Sequence, residues 1–290
     1  MSYPSNNNTS QNSELFANLV TQAQYQAYET SVARQLVTVF DAPMNTGKIL
    51  QVPVWARVTA DLITDEAAAS AKTTDTTAAT ITLGEHVVYH QITDMIRDSA
   101  YSDVFGQIGD QSGRAIAESM DKQVFSQFAN FSSDIGGAGH ELTVQDILKA
   151  AATLRAQRLT GPFYAVVHPS AAYNLKKNLT TTLPYSGAAA GAQLGALSDV
   201  GNSVLGGFYI GTIAGVQIFE SALVATSGTD SVAGVFASTA LGHAMRGSID
   251  MNTLYLPAAR ATDVVLKSVA GATILNQLHG VAITCDAQLN

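Results

Sequence analysis

Two closely spaced histidines are the first pattern in this sequence that could do chemistry. His86 and His90 lie four residues apart, but a metal site would need further ligands, and only Glu85 is near. The pair falls in a strand-like run, and no cysteine is nearby. Histidines in solvent or at an interface are therefore the favoured interpretation, and the sequence predicts no metal site.

A second pattern, the run Asn45-Thr46-Gly47-Lys48, is similar to the end of a phosphate-binding loop. It departs from that motif at two defining positions, because Ala42 replaces the first glycine and Ile49 replaces the Ser or Thr that would hold magnesium. No G-x-S-x-G nucleophile elbow occurs, and the glycines at 136–139 lack the spacing of a dinucleotide site. The sequence therefore predicts no catalytic residues, no cofactor and no enzyme activity.

Charged side chains supply the remaining candidates. Two pairs of basic residues on predicted helices make the clearest positive cluster, which is too small against an acidic remainder to bind nucleic acid. Paired carboxylates in a polar loop are more typical of solvated surface than of acid–base catalysis. We expect these charges at a rim or at subunit contacts. The candidate contact residues are Arg57, Asp65, Glu66, Lys72, Arg155, Arg158, Lys176 and Lys177.

Composition excludes several classes of protein. The 290 residues carry 23 acidic and 15 basic side chains, a net charge of −8, and only 13% of residues are charged. Nucleic-acid binding depends on Lys and Arg that neutralise phosphates, so direct DNA recognition is not expected. The single cysteine, Cys285, excludes an intramolecular disulfide framework. A chain of this length buries a sizeable core without such cross-links.

The sequence also argues against export and membrane insertion. The first residues have neither the basic nor the apolar region of a secretory signal, which predicts a protein that stays in the cytoplasm. The most apolar long window, 200–219, contains five glycines among its twenty residues. Strands and a turn are expected there instead of a membrane span.

The elements that would position these residues follow a recognisable order in the first half of the chain. Residues 1–30 are rich in Ser, Asn, Gln and Thr and predict an extended arm with a little helix. Short strands are expected within 32–58, then a polar tip at 61–80 and a second strand run at 80–89, which together form a long hairpin. Apolar residues at helical spacing over 98–128 predict a helix roughly 45 Å long.

The second half alternates helix and strand before it becomes rich in glycine. A capping-box-like start predicts a helix over 143–158, followed by a buried strand at 163–167 and a helix that opens at His168-Pro169. Residues 178–245 contain no Lys or Arg and predict loops and short strands. Strands that close the fold are expected from Ser248 onward.

This ordered set resembles the major capsid protein of tailed bacteriophages, with the Hong Kong ninety-seven-type fold. Residues Thr82 to Asp94 are similar to the return strand of the family's extended loop. Residues Thr143 to Arg158, followed by Tyr164 to Pro169, are similar to the family's helix, strand and helix start. Gly207 to Ser221 is similar to its run of glycines and apolar residues. The resemblance covers nearly the whole chain.

The resemblance implies an α+β phage capsid fold with an N-arm, an extended β-hairpin loop, a long spine helix, and peripheral and axial domains. The implied ranges are 1–50 for the arm, 51–92 for the loop, 93–140 with 250–290 for the peripheral domain that holds the spine helix, and 141–249 for the axial domain. Copies of the chain would then form hexamers and pentamers of an icosahedral head around double-stranded DNA.

Partners and location follow from the same resemblance. The chain would contact itself, a portal, and either a separate scaffolding protein or none, with decoration proteins left open. Packaged DNA would be met only by non-specific proximity, since an acidic lining repels phosphates, and no membrane would be involved. We expect a virion protein that is assembled in the host cytoplasm.

Some members of the family cross-link their subunits through a loop lysine, an asparagine and a glutamate. Lys72 could supply the amine, but 257–267, where the other two would lie, contains neither Asn nor Glu. The resemblance therefore implies a non-covalent shell. Two alternatives stay open: an encapsulin-type shell that stores a cargo enzyme, and a β-rich surface adhesin or enzyme, which would not explain the long helix.

Overall fold

A computed structural model describes residue 23 and the ranges 31–45, 47–63, 70–99, 104–181 and 209–288. Predictions for most of the arm, for Asp65 and Glu66, and for the glycine-rich segment up to Phe208 lie outside the described residues.

Within these ranges the chain forms five α-helices and thirteen β-strands. The helices are α1 (Ala33–Leu36), α2 (Asp94–Ser99), α3 (Val104–Phe125), α4 (Val144–Ala156) and α5 (Pro169–Thr181). The strands are β1 (Thr38–Asp41), β2 (Ile49–Trp55), β3 (Thr76–Thr82), β4 (Gly84–Thr93), β5 (Asp134–Gly136), β6 (Phe163–Val167), β7 (Tyr209–Ile213), β8 (Val216–Glu220), β9 (Thr226–Ser227), β10 (Asp230–Ala237), β11 (Leu241–Leu256), β12 (Ala261–Ile274) and β13 (Gly280–Asp286).

A four-stranded sheet of order β1-β11-β12-β4 carries the long helix α3 on one face. Side chains alternate between the faces of a strand, so every second residue of β4 and β12 points at the helix. Val264 and Leu266 of β12 form one core cluster with Ile116 and Met120, which lie one turn apart on α3. This apolar contact fixes the helix across the sheet.

The other face of the same sheet holds the β2–β3 hairpin. Ile81 of β3 is fully buried in a cluster with Ala244 and Val269. The hairpin comes so close to β12 that a side-chain carbon at Gly271 would collide with the backbone carbonyl of Thr82. A two-stranded hairpin is marginal alone, so this packing gives β2 and β3 much of their stability.

The hairpin differs from the sequence prediction at its return strand. We expected the segments 80–83 and 87–89 to belong to one strand run, but β3 ends at Thr82 and β4 begins at Gly84 in a different sheet. The side chain of Leu83 is buried at the change of sheet, and its N–H donates to the Lys48 carbonyl. The crossing is a tertiary feature that local alternation does not reveal.

A seven-stranded sheet with main order β5-β13-β10-β6-β8-β7, to which β9 adds beside β10, forms the second layered unit. Helices α4 and α5 cover one face, with Leu154 and Leu175 fully buried there. The other face packs on the end of α3, where the ring of Phe128 lies 5.5 Å from Phe125 and 5.4 Å from Phe236 between centroids. This aromatic cluster joins the long helix to the larger sheet.

Several local predictions are confirmed, and two more need correction. Thr143 and Asp146 form the capping box that begins α4, and β6 and α5 lie where expected. The long helix is shorter than predicted, because α2 ends at Ser99 and α3 spans 22 residues. The predicted loops and short strands of 178–245 include the eight-residue β10, whose mostly buried run from Ser231 to Ala237 lies inside the larger sheet.

The C-terminal strands divide between the two sheets. Strands β11 and β12 pair with each other in the four-stranded sheet, whereas β13 pairs with β10 and β5 in the seven-stranded sheet. The segment 250–290, which the resemblance placed in one domain, therefore contributes to both sheets.

The close approach at Gly271 generates a stability prediction. We expect Gly271→Ala to lower the free energy of unfolding by about 1–3 kcal/mol, because the added carbon meets backbone that must shift. Urea denaturation of the unassembled subunit measures this. Gly137→Ala is the control, since nothing lies within 4 Å of its added carbon, and its effect should stay within about 0.5 kcal/mol. Equal effects in the two variants would contradict this account.

Candidate functional site

Most of the predicted basic cluster is bonded within its own subunit. Lys176 lies 3.3 Å from a carboxylate oxygen of Glu220, and Lys177 lies 3.5 Å from Glu141. The guanidinium of Arg155 donates to the carbonyl of Ala214 in the β7–β8 turn. These contacts hold α4 and α5 against neighbouring turns, and they leave less positive charge free for a partner than the sequence indicated.

Arg158 differs from the rest of that cluster. It follows the C-terminal end of α4 with a left-handed φ of 57°, and its N–H donates to the Arg155 carbonyl at 2.8 Å. Helices commonly end on one residue in this conformation. The side chain is exposed, so Arg158 stays a candidate contact residue.

Two further candidates, Arg57 and Lys72, follow strand β2 of the hairpin. Lys72 forms an ion pair with Asp61 at 2.6 Å across the loop beyond β2 and β3. Arg57 is exposed and lines an open groove of about 910 Å³ between the hairpin and the turn at Gln277–His279. Asp65 and Glu66, which complete the predicted set, lie outside the described residues.

The paired histidines of β4 form hydrogen bonds between the four-stranded sheet and α3. One ring nitrogen of His86 lies 2.7 Å from the Ser119 hydroxyl and the other 3.2 Å from the Gln123 amide oxygen, while His90 lies 3.0 Å from Ser112. Burial lowers the pKa of His86. Among the described residues, no group of three His, Cys, Asp or Glu side chains could hold a metal ion.

The run that is similar to a phosphate loop connects two strands. Strand β2 follows Lys48 directly, whereas a phosphate loop uses the N-terminus of a helix. The local structure therefore gives no phosphate site at this position.

A third histidine lies buried on the same sheet face without a partner. His243 of β11 is 2% exposed, and neither of its ring nitrogens has a hydrogen-bond partner among the described residues. Burial, with smaller effects from Arg34 and His86, lowers its pKa to about 4. A protonated imidazole here would be a buried charge beside a guanidinium.

Exposed apolar side chains occur on two surfaces that the sequence analysis missed. On the hairpin, Trp55 is 68% exposed and Ile49 is also exposed. On the outer face of the four-stranded sheet, Leu254 is 62% exposed, with Val87 and Tyr89 on the same face. Large apolar patches on a soluble chain mark interaction surfaces. The alternating pattern of β2 was visible in the sequence, but the candidates chosen there were all charged.

Comparison with known proteins decides what these surfaces belong to. The family model for phage capsid proteins matches residues 78–273, which span β4, the long helix and most of both sheets. The chain belongs to the phage capsid protein family. No curated protein matches the sequence.

Solved structures share the fold of this capsid protein at low sequence identity. The capsid of Ralstonia phage GP4 aligns with a TM-score of 0.66 and 10% identity over 89% of this chain and 92% of that one. The head structure of Helicobacter pylori bacteriophage KHP40 aligns with a TM-score of 0.64 and 11% identity over 90% of this chain and 91% of that one. The SrpI encapsulin of Synechococcus elongatus aligns with a TM-score of 0.61 and 12% identity over 88% of this chain and 87% of that one. The α+β capsid fold predicted from the sequence is confirmed.

The described part of the capsid protein has no helix with both the length and the apolar character needed to cross a membrane. The apolar window at 200–219 contains, in its described portion, the strand β7 and most of β8.

The buried His243 predicts acid sensitivity of the capsid subunit. The unfolded chain takes up a proton on this imidazole near its ordinary pKa of 6.5, whereas the folded subunit resists until about pH 4. The free energy of unfolding therefore decreases as pH falls from about 6.5 to about 4, and His243 accounts for about 3 kcal/mol of that decrease at most. We expect His243→Leu to reduce the dependence of the unfolding free energy on pH between about 6.5 and 4.

Urea denaturation of unassembled subunits across this pH range measures the effect. His279→Gln is the comparison, because that ring is less buried and bonds to Thr239 and Asn276. An unchanged pH dependence in His243→Leu would contradict the assignment.

Proposed function

We propose that this capsid protein is the major building block of a bacteriophage head, with hexamers and pentamers of the chain forming an icosahedral shell around double-stranded DNA. The family match over 78–273 carries the proposal. A capsid fold over most of the chain and exposed apolar patches on a hairpin and a sheet support it.

The patches favour contacts that are apolar instead of ionic. The hairpin projects one side chain row into solvent, in which Ile49 and Trp55 stand at the two ends of β2. A fully desolvated tryptophan at the centre of an interface typically contributes 2 kcal/mol or more. We propose the exposed face of β2 and the outer face around Leu254 as subunit contacts, with Arg57 and Arg158 at their rims.

The proposed role is structural and not catalytic, and its other partners rest on the family alone. A portal would occupy one vertex, and a separate scaffolding protein or none would guide assembly in the host cytoplasm. The net charge of −8 supports a lining that repels DNA and lets the genome slide. DNA is then a neighbour of the shell by proximity and not a specific ligand.

We further propose that the shell is non-covalent. Lys72, the residue whose amine could form a cross-link, is held by Asp61 at 2.6 Å. The segment 257–267, a turn followed by the start of β12, has no Asn or Glu to complete the reaction. Both observations argue against an isopeptide bond at this place.

An encapsulin-type shell is the second candidate, because the SrpI encapsulin shares the fold at a TM-score of 0.61. The phage family match favours a virus. The contents of the shells distinguish the two, since a phage head encloses DNA and an encapsulin encloses a cargo protein.

Expression of the full chain tests the proposal directly. We expect closed icosahedral shells by electron microscopy, from the chain alone or with a scaffolding protein where one is needed, and a single subunit band when the particles are run on a denaturing gel. Discrete small oligomers under all these conditions would contradict a capsid role. A ladder of linked subunits would contradict only the non-covalent shell.

Trp55→Ser tests the apolar contact on the hairpin. Because Trp55 is 68% exposed in the subunit, its loss should change the free energy of unfolding by less than about 0.5 kcal/mol. We expect the yield of shells to fall about tenfold or more, since a buried interface tryptophan is a hot spot. Leu148→Ser, at an apolar side chain on α4 that is 46% exposed, should assemble normally. Normal assembly of Trp55→Ser would remove β2 from the interface.

A further inference from the structure

The chain that precedes β1 touches the long helix α3 at two separate places. Ala23 is fully buried and belongs to the core cluster of Ile116 and Met120. Farther along, Ser31 is bonded to Asp121 on α3. The residues Ser31 to Ala33, which we call the arm root, are therefore attached to the long helix. The same chain then enters the four-stranded sheet as β1.

Asp121 makes the second attachment and is 3% exposed. One carboxylate oxygen accepts from the Ser31 hydroxyl at 2.7 Å, and the other accepts from the N–H groups of Val32 at 2.9 Å and Ala33 at 3.4 Å. Burial raises the pKa of this carboxyl, and the three hydrogen bonds oppose that rise. Such bonds to an ionised acceptor are stronger than neutral ones.

These bonds replace a missing helix cap. The short helix α1 begins after Val32, which has no side chain that could cap it. The first N–H groups of a helix need acceptors, which usually come from a Ser, Thr, Asp or Asn at that position. Here Asp121, some 90 residues away on another helix, supplies them. The direction of α1 is thereby tied to one carboxylate on α3.

Gly113 makes room for the first attachment. A side-chain carbon at Gly113 would collide with the backbone carbonyl and Cα of Ala23. Gly113, the buried Ala117 and Asp121 are spaced four residues apart and lie on one face of α3. The two small residues let the backbone of the N-terminal segment lie close to α3, and the carboxylate of Asp121 bonds that segment farther along the helix.

We propose that Asp121 is a positioning residue, because it fixes where Ser31, Val32 and Ala33 lie on α3, while the packing of Ala23 against Gly113 holds the chain at a second point. The inference rests on the proposed function, to which it adds that the residues before Ala23 contact a neighbouring copy. A chain held at both points presents those residues to the neighbour from the same place in every subunit. If the arm root were not held on α3, the position of the preceding residues would vary between subunits, and ordering them during assembly would cost conformational entropy.

Two substitutions separate positioning from simple folding. Asp121→Leu keeps the branching at Cγ in a larger side chain and removes both acceptor oxygens, whereas Asp121→Asn keeps the size and one acceptor and should retain part of the effect. Glu118→Leu, at an exposed carboxylate on the same helix, is the matched control.

Hydrogen exchange of the unassembled subunit reads the arm root directly. We expect the amides of Val32 and Ala33 in Asp121→Leu to exchange about tenfold faster or more, as the loss of hydrogen bonds to a charged group implies. Amides of β10 and β13 should keep their wild-type rates. Unchanged exchange at Val32 and Ala33 would overturn the assignment of the cap.

Assembly provides the second readout. Under conditions where the wild-type chain forms closed shells, Asp121→Leu should give few or misshapen shells, Asp121→Asn an intermediate yield, and Glu118→Leu a normal yield. Normal shells from a variant whose arm root exchanges fast would overturn the positioning role and leave the capsid function intact. A wild-type chain that never forms shells would instead refute the capsid function.

If Asp121→Leu exchanges fast throughout β10 and β13, the fold itself has been lost, and Ser31→Ala decides the question. That change removes one bond to Asp121 and leaves the buried carboxylate with two backbone donors. Faster exchange at Val32 with reduced shell yield supports positioning, and wild-type behaviour in both measurements refutes it.

Discussion

The contact between α3 and one face of the four-stranded sheet sets the position of the parts around it. Ile116 and Met120 supply the apolar part, while His86 and His90 bond to Ser119 and Ser112. The two serines lie about 10 Å apart along the helix, and the two histidines lie about 13 Å apart along β4. Because the polar bonds lie at two separate heights of the helix, they hold it in one register that apolar packing alone would not specify.

The arm root, the hairpin and the larger sheet each depend on that contact through a different surface. Asp121 holds the arm root on the helix, and Gly271 admits the hairpin to the opposite face of the sheet. Phe128 joins the end of the helix region to β10 through Phe236. Since packed interfaces transmit displacements and do not absorb them, a shift of α3 would move all three.

Sequence reasoning reached the features that are local. The capping box at Thr143, the strand β6 and the helix α5 follow from patterns within a few residues. It failed where a distant partner decides the outcome. The apolar run of β13 does not say which strand it joins, and Leu83 alone does not reveal a change of sheet.

The candidate contact residues show the same limit. Lys176 and Lys177 look free in the sequence, but their carboxylate partners lie 44 and 36 residues away. Asp121 gave no signal as a cap for the same reason, because Ser31 is 90 residues distant. The exposed face of β2 could have been predicted from the sequence, since Ile49 and Trp55 alternate with half-buried residues. The contact residues predicted from the sequence were all charged and did not include it.

The low charge density acquires a physical meaning from these contacts. Four of the lysines form ion pairs inside the subunit, and their side chains are only partly exposed; they are Lys72, Lys176, Lys177 and Lys267. The hairpin and the sheet also expose large apolar side chains, among them Trp55, Tyr89 and Leu254. Ion pairs demand fixed distances and angles, whereas apolar burial is non-directional. In the proposed hexamers and pentamers one chain must meet its neighbours at slightly different angles, and apolar faces tolerate that difference better than a lattice of charges would.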